Sequence, residues 1–108
     1  SVEAAVKKLT FDQAQAFQIY DRGLLRPGMA ADVVVFDPDT IRCLPDEKVT
    51  DLPGGAWRLK ELADGILCAV VNGQVILEAG KLTGERPGKV LRNSRYRQRE
   101  EEAALAMA

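Results

Sequence analysis

The alternation of apolar and polar residues along this chain indicates several short strands between helical ends. The clearest strand covers residues 32–36, which read Asp-Val-Val-Val-Phe, so apolar side chains project from both of its faces. Neither face suits water, and strands of this kind lie within a sheet that has a layer on each side. Pro27 and Gly28 set the turn before the strand, and Pro38 ends it. We therefore predict a central strand that is covered on both sides.

A second pattern is the pair Asn72 and Gly73 between apolar runs at 66–71 and 74–77. This pair favours a two-residue type I′ turn, which predicts a β-hairpin whose register follows from the turn. Four side chains are expected on its inner face: Cys68, Val70, Val75 and Leu77. Short strands are expected at 24–25 and 41–44, and glycines and a proline delimit further short segments at 81–82 and 89–91.

Helical spacing of apolar residues predicts two short helices near the start of the chain. The first covers residues 1–9 and the second covers residues 11–17. Thr10 followed by Gln13 has the form of a capping box for the second helix. Packing of both apolar stripes onto the chain's own sheet, or onto a neighbouring element, is the expected role. The charged segment after Arg92 is expected to form a C-terminal helix.

The segment 45–64 interrupts these patterns with prolines, the pair Gly54 and Gly55, charged residues and the only tryptophan, Trp57. We expect a long irregular loop that is the most mobile segment between the two ends of the chain, with a helical turn at 58–62. The two glycines do not indicate a phosphate site, because no lysine with serine or threonine follows them.

Together the elements predict an α+β chain that is mainly β, a partial β-sandwich preceded by one or two short helices. Residues 1–18 form the helical part. Residues 19–92 form a small sandwich-like domain that includes the loop at 45–64. Residues 93–108 form a charged, helical tail.

Charge and cysteine content limit the partners. Fifteen basic and sixteen acidic residues leave a net charge of −1, which supplies no field to hold nucleic acid or an anionic membrane, so neither is expected. No apolar run is long enough for a membrane span and no secretory signal is present, so we expect a cytoplasmic protein.

Cys43 and Cys68 lack metal-binding spacing. Two core thiols are the preferred interpretation, and a disulfide between them is the alternative.

The chain contains no histidine. It therefore lacks the commonest metal ligand and the side chain that titrates near neutrality, which excludes most metallohydrolase and triad mechanisms. Asp21 and Arg22 beside Gly23 are interpreted as turn chemistry with a solvated arginine. Asp32 could serve as a base, but capping of amides in the preceding turn is the preferred interpretation.

Two groups of segments resemble a known family. Residues 2–10, Val-Glu-Ala-Ala-Val-Lys-Lys-Leu-Thr, and residues 21–32, Asp-Arg-Gly-Leu-Leu-Arg-Pro-Gly-Met-Ala-Ala-Asp, resemble the C-terminal end of amidohydrolase-superfamily enzymes. Val-Asn-Gly at 71–73 and the run 80–92, which contains Thr-Gly-Glu-Arg-Pro-Gly, resemble the D-aminoacylase branch, the N-acyl-D-amino-acid deacylases. The resemblance covers most of residues 2–92.

The resemblance implies a parent enzyme with a metal-bearing (β/α)₈ barrel and a small β-sandwich built from strands at both ends of its chain. This sequence would supply the last barrel helix and the C-terminal share of the sandwich, so its partners would be the missing N-terminal strands and the barrel. Zinc is implied for the parent, and no cofactor for this chain. The family's histidines, metal-bridging ligand and catalytic aspartate are implied to lie upstream. No catalytic, cofactor-binding or metal residue is therefore assigned here.

Two functions stay open on these grounds. The first is the non-catalytic C-terminal part of a zinc-dependent hydrolase that cleaves linear amide C–N bonds, inactive by itself. The second is a free-standing β-rich binding or scaffold module without enzymatic activity. Under the first function the isolated chain lacks the strands that complete its sandwich, so we expect cover for its apolar faces from a homodimer paired through an exposed sheet edge or from the tail after Arg92.

Overall fold

The computed structural model of the protein describes residues 1–92 and 94–107. The chain divides into two compact units. The first comprises Ser1–Val33, Val71–Gln74 and Arg86–Ala108. The second comprises Val34–Val70 and Val75–Glu85.

Helices lie toward the two ends of the chain and strands lie between them. The helices are α1 (Val2–Leu9), α2 (Phe11–Ala16) and α3 (Ser94–Met107). The strands are β1 (Val33–Phe36), β2 (Arg42–Cys43), β3 (Glu47–Val49), β4 (Arg58–Lys60), β5 (Ala63–Asp64), β6 (Ile66–Val71), β7 (Gln74–Glu78) and β8 (Lys81–Leu82). The predicted α+β class with a majority of strands is confirmed, as are the three predicted helices.

Helix α1 begins where Ser1 caps it, because the Ala4 N–H donates to Ser1 Oγ at 3.3 Å. The capping box predicted for α2 is wrong. Thr10 also ends α1, and its hydroxyl donates to the Val6 carbonyl at 2.7 Å, so that hydroxyl is directed back toward α1. The Gln13 side chain donates to the Lys8 carbonyl at 3.3 Å and does not reach back to the Thr10 amide.

The largest sheet has four strands in the order β1-β6-β7-β8. Strand β1 therefore lies at an edge, and the prediction of a central strand covered on both sides is wrong. Val34 and Val35 are 58% and 45% exposed. Apolar residues on both faces indicate that the strand needs cover on each side, but they do not identify the element that supplies it.

The turn between β6 and β7 confirms the predicted hairpin. Asn72 and Gly73 both have positive φ, 48° and 79°, as a type I′ turn requires. Cys68, Val70 and Leu77 are half-buried. Val75 is 37% exposed, so the prediction that it lies inside is wrong.

The segment 45–64 is more regular than predicted. Strands β3 and β4 pair antiparallel, with Lys48 opposite Leu59, and a short 3₁₀ helix over Pro53–Gly55 forms the tip of this hairpin. Strands β2 and β5 pair beneath it, with Cys43 opposite Ala63. The predicted helical turn at 58–62 is wrong, because strand β4 occupies that position.

The predictions for the four short segments and for the cysteines have mixed outcomes. The segments at 41–44 and 81–82 contain β2 and β8. The segments at 24–25 and 89–91 are not strands. Both cysteines are free, and Cys43 is exposed, so the prediction of two core thiols is wrong for Cys43.

Gly65, between β5 and β6, lies against the backbone of Ile41. Its φ is 81°, and a Cβ built on it would lie 2.5 Å from the Ile41 nitrogen. The Gly65 carbonyl accepts from the Asp37 N–H at 2.8 Å. Only glycine allows both this approach and this φ without strain.

Side-chain burial is shallow throughout 1–92 and in the part of α3 that the structure describes. None of these side chains is fully buried, whether apolar or polar. Large apolar residues that are more than half exposed include Leu9, Phe17, Leu25, Trp57 and Leu82. The described ranges therefore have no fully buried apolar core.

Candidate functional site

A polar cluster in the first unit joins four separate segments of the chain. Its members are Arg22, from the turn after α2; Asp32, just before β1; Asn72, in the hairpin turn; and Pro87, which follows β8. The sequence suggests none of these associations, because up to fifty residues separate the partners.

Arg22 lies at the centre of this cluster and its side chain is only 13% exposed. One guanidinium nitrogen, Nη2, donates to Asn72 Oδ1 at 2.8 Å, and Nη1 lies 3.3 Å from Asp32 Oδ2. Within the part of the chain that the structure describes, Nε and Nη1 are covered and have no hydrogen-bond acceptor. The prediction of a solvated arginine is therefore wrong. The two N–H groups suit an ordered water or a further carbonyl oxygen.

Asp32 caps a turn, but a different one from the turn predicted. Its Oδ1 accepts the backbone N–H of Asn72 at 2.8 Å, in the hairpin turn forty residues later. The preference for capping over a role as a base is consistent with this geometry, whereas the predicted partner in the preceding turn is wrong.

Both ends of the Asn72 side-chain amide form hydrogen bonds. Besides accepting from Arg22, its Nδ2 donates to the Pro87 carbonyl at 2.8 Å. The next amide, Gly73 N–H, donates to the Ala31 carbonyl at 2.9 Å. Sequence reasoning treated Asn72 only as a turn residue and missed its side-chain role. The resulting network holds the hairpin turn to the segments before β1 and after β8.

The chemistry of this cluster is structural. One guanidinium faces one carboxylate, so the charges balance, and the asparagine amide and the carbonyl oxygen are neither nucleophiles nor general bases. Among residues 1–92 and 94–107, no three metal-ligating side chains come together. An open depression of about 340 Å³ is lined by Tyr20, Asp21, Arg26, Pro27, Gly28 and Met29, so its lining contains one cationic and one carboxylate side chain.

The β3–β4 hairpin carries the other polar arrangement, in the second unit. Arg58 donates to both carboxylate oxygens of Asp51, at 2.8 and 2.7 Å. This hydrogen-bonded fork holds the pKa of Asp51 below its ordinary value. The ammonium of Lys48 lies 4.6 Å from the centre of the Trp57 ring in a cation–π contact, and Trp57 is 58% exposed.

Comparison with known proteins agrees with the family resemblance found in the sequence. Residues 1–77 match the model of the amidohydrolase family. N-acyl-D-aspartate deacylase from Alcaligenes xylosoxydans xylosoxydans is 35% identical over 91 residues, which is 84% of this chain and 16% of that protein. N-acyl-D-glutamate deacylase from the same organism is 40% identical over 92 residues, which is 85% of this chain and 17% of that protein.

A third relative, D-aminoacylase from the same organism, is 37% identical over 90 residues, covering 83% of this chain and 17% of that protein. The chain thus spans about one sixth of the length of these curated relatives. No solved structure matches it. Among the described helices, none is long and apolar enough to cross a membrane.

Proposed function

Because the chain belongs to the amidohydrolase family, in its D-aminoacylase branch, we propose that it is the non-catalytic C-terminal part of a metal-dependent hydrolase. The parent enzyme would cleave linear amide C–N bonds of N-acyl-D-amino acids. The observation that carries this proposal is the match to deacylases over more than four fifths of this chain but only about one sixth of theirs.

The residues of this chain do not fit a catalytic zinc. The sequence has no histidine, and in the described ranges no group of three metal-ligating side chains exists. A catalytic zinc needs about three such ligands with an open position. The ligands of the proposed parent would therefore come from the rest of that protein, and we assign no catalytic step to residues of this chain.

The contribution of this chain would be to complete and brace the parent fold. The exposed apolar residues of α1, together with Phe17 at the end of α2, suit a face packed on a barrel. The edge strand β1 suits pairing with a further strand. The partners proposed on this basis are the N-terminal strands of the parent, which would complete the β-sandwich with this chain, and the (β/α)₈ barrel that the sandwich would brace.

The reading frame of the gene and one assay test the proposal. We expect coding sequence upstream of Ser1 that includes a His-x-His strand. We expect the complete protein, loaded with zinc, to hydrolyse N-acetyl-D-amino acids, and the purified 108-residue chain with the same zinc to release none of the free amino acid.

Two results would contradict the proposal. Turnover with stoichiometric zinc on the 108-residue chain would place the active site within it. A start codon immediately before Ser1, with a stable inactive monomer, would instead support the free-standing binding or scaffold module.

A further inference from the structure

Asn72 and Gly73 form the sequence in which an asparagine is most open to attack by its own backbone, because glycine has no Cβ to hinder the approach. In that reaction the Gly73 nitrogen bonds to Asn72 Cγ, and the Cγ–Nδ2 bond breaks. The nitrogen loses its proton and ammonia leaves, so a succinimide ring forms. Water then opens the ring to aspartate or isoaspartate.

We propose that Asn72 is a latent deamidation site. The hydrogen bonds of the polar cluster protect it in the folded chain, and it becomes reactive when those hydrogen bonds break. This inference does not depend on the proposed function. It rests on the hydrogen bonds that engage both reacting groups.

The attacking group is engaged first. The Gly73 N–H donates to the Ala31 carbonyl at 2.9 Å, so the nitrogen keeps its proton and is directed at another acceptor. The neighbouring Asn72 N–H donates to Asp32 Oδ1 at 2.8 Å, which fixes the peptide plane before the reacting bond. The Gly73 contact must open before the nitrogen can turn toward Cγ, and the Asp32 contact opposes this opening because it holds the turn in place.

The attacked group is held at both of its ends. Arg22 donates to Asn72 Oδ1 and the Asn72 Nδ2 donates to the Pro87 carbonyl, each at 2.8 Å. The amide plane therefore cannot rotate to present Cγ without losing one of these hydrogen bonds. Asn72 itself is half-buried, which restricts access of the water that the second step consumes.

The product could not restore the cluster. A carboxylate at position 72 has no N–H to give to the Pro87 carbonyl, and its oxygen would face that carbonyl oxygen as a second acceptor. Isoaspartate would also add one carbon to the backbone of the two-residue turn. After deamidation the hairpin turn therefore cannot regain the hydrogen bonds of the polar cluster. A modified residue at position 72 is lasting evidence that these bonds had broken.

The experiment follows aspartate plus isoaspartate at position 72 by peptide mapping during incubation at mildly alkaline pH. We compare the native chain, the chain in denaturing urea, and a urea series below the unfolding transition. The native rate should be slower than the denatured rate by about tenfold or more, since reaction requires opening of a hydrogen-bonded segment. The rate should rise with urea before global unfolding.

A pair of variants tests the cluster directly. Asp32→Ala removes the acceptor of the Asn72 amide and should raise the rate severalfold toward the denatured value. Asp46→Ala removes an exposed carboxylate from the second unit and should leave the rate unchanged. Circular dichroism monitors folding of both variants.

Three outcomes would overturn the proposal: equal native and denatured rates, no modification of Asn72 in urea, or a folded Asp32→Ala chain that reacts at the native rate. If Asp32→Ala does not fold, the urea series of the unchanged chain decides, because a rate independent of urea below the transition excludes control by local opening.

Discussion

Substitution of Gly65 by alanine should destabilise the second unit far more than the same substitution at Gly80. Both glycines have positive φ, 81° and 76°, so an alanine at either site incurs about 1 to 2 kcal/mol of backbone strain. Both substitutions also remove freedom from the unfolded chain, which offsets about 0.4 to 1 kcal/mol.

The two sites differ in what the new Cβ would meet. At Gly80 nothing lies within 4 Å, whereas at Gly65 the Cβ would lie 2.5 Å from the Ile41 nitrogen and 2.6 Å from its Cα. Those are backbone atoms, so the segment that carries Ile41 must move, at about 1 to 3 kcal/mol by analogy with overpacked cores. We expect losses in the free energy of unfolding of about 2 to 4 kcal/mol for Gly65→Ala and about 1 kcal/mol for Gly80→Ala.

Urea unfolding followed by far-ultraviolet circular dichroism measures the difference. With a slope of about 1 to 3 kcal/mol per molar urea, the midpoint of Gly65→Ala should lie about 1 M below that of Gly80→Ala. Equal midpoints for the two variants would show that the backbone of Ile41 does not approach Gly65 as closely as described, and would refute the reasoning.

Three further predictions concern exposed parts of the chain. The pKa of Asp51, followed by NMR, should lie below its ordinary value and should rise in Arg58→Lys, because lysine keeps the charge but loses the fork. Since the folded-state pKa is the lowered one, the fork stabilises the hairpin above about pH 4 and is lost as pH falls through the folded value; an unchanged pKa in Arg58→Lys would contradict this. A thiol reagent should label exposed Cys43 faster than half-buried Cys68, and equal rates would count against the described burial. Deletion of the residues after Arg92 should increase self-association in sedimentation if the tail covers apolar surface, whereas a truncated chain that stays monomeric would exclude that role.

Local stereochemistry explains which parts of the fold the sequence predicts. The hairpin turn follows from Asn72 and Gly73 alone, because few other pairs adopt positive φ at two successive positions. Helix α1 follows from its apolar stripe, and in the structure it begins next to the Ser1 cap. In both cases residues close together in the sequence are sufficient to predict the element.

The position of β1 and the hairpin at 45–64 depend on information that is not local. Apolar residues on both faces of β1 do not reveal that it lies at an edge of its sheet. Strands β3 and β4 have three residues each and are mostly charged, so they show no apolar pattern typical of a strand. The residues that predict an irregular loop, Pro53 to Gly55, lie only at the tip between these strands. The pairing of β3 with β4 is supported by Asp51 and Arg58, a pair that charge patterning alone does not identify among many alternatives.

The polar cluster was beyond sequence reasoning for a related reason. Arg22 looks like a surface arginine, since turn residues and a glycine surround it. Its burial arises only when Asp32 and Asn72 reach it from other segments. A single sequence contains no signal for that meeting, although the individual residues Asp32 and Asn72 were each expected to act at turns.

The pairing of β2 with β5 makes the intervening segment a self-contained insertion. The Leu44 N–H donates to the Leu62 carbonyl at 2.8 Å, so the two ends of residues 45–61 are already adjacent. Loop-closure entropy depends only weakly on length once the ends are joined in this way. A change in the length or sequence of this hairpin should therefore leave strands β1 and β6 in place, which makes the segment between Leu44 and Leu62 a suitable position for grafting a foreign peptide.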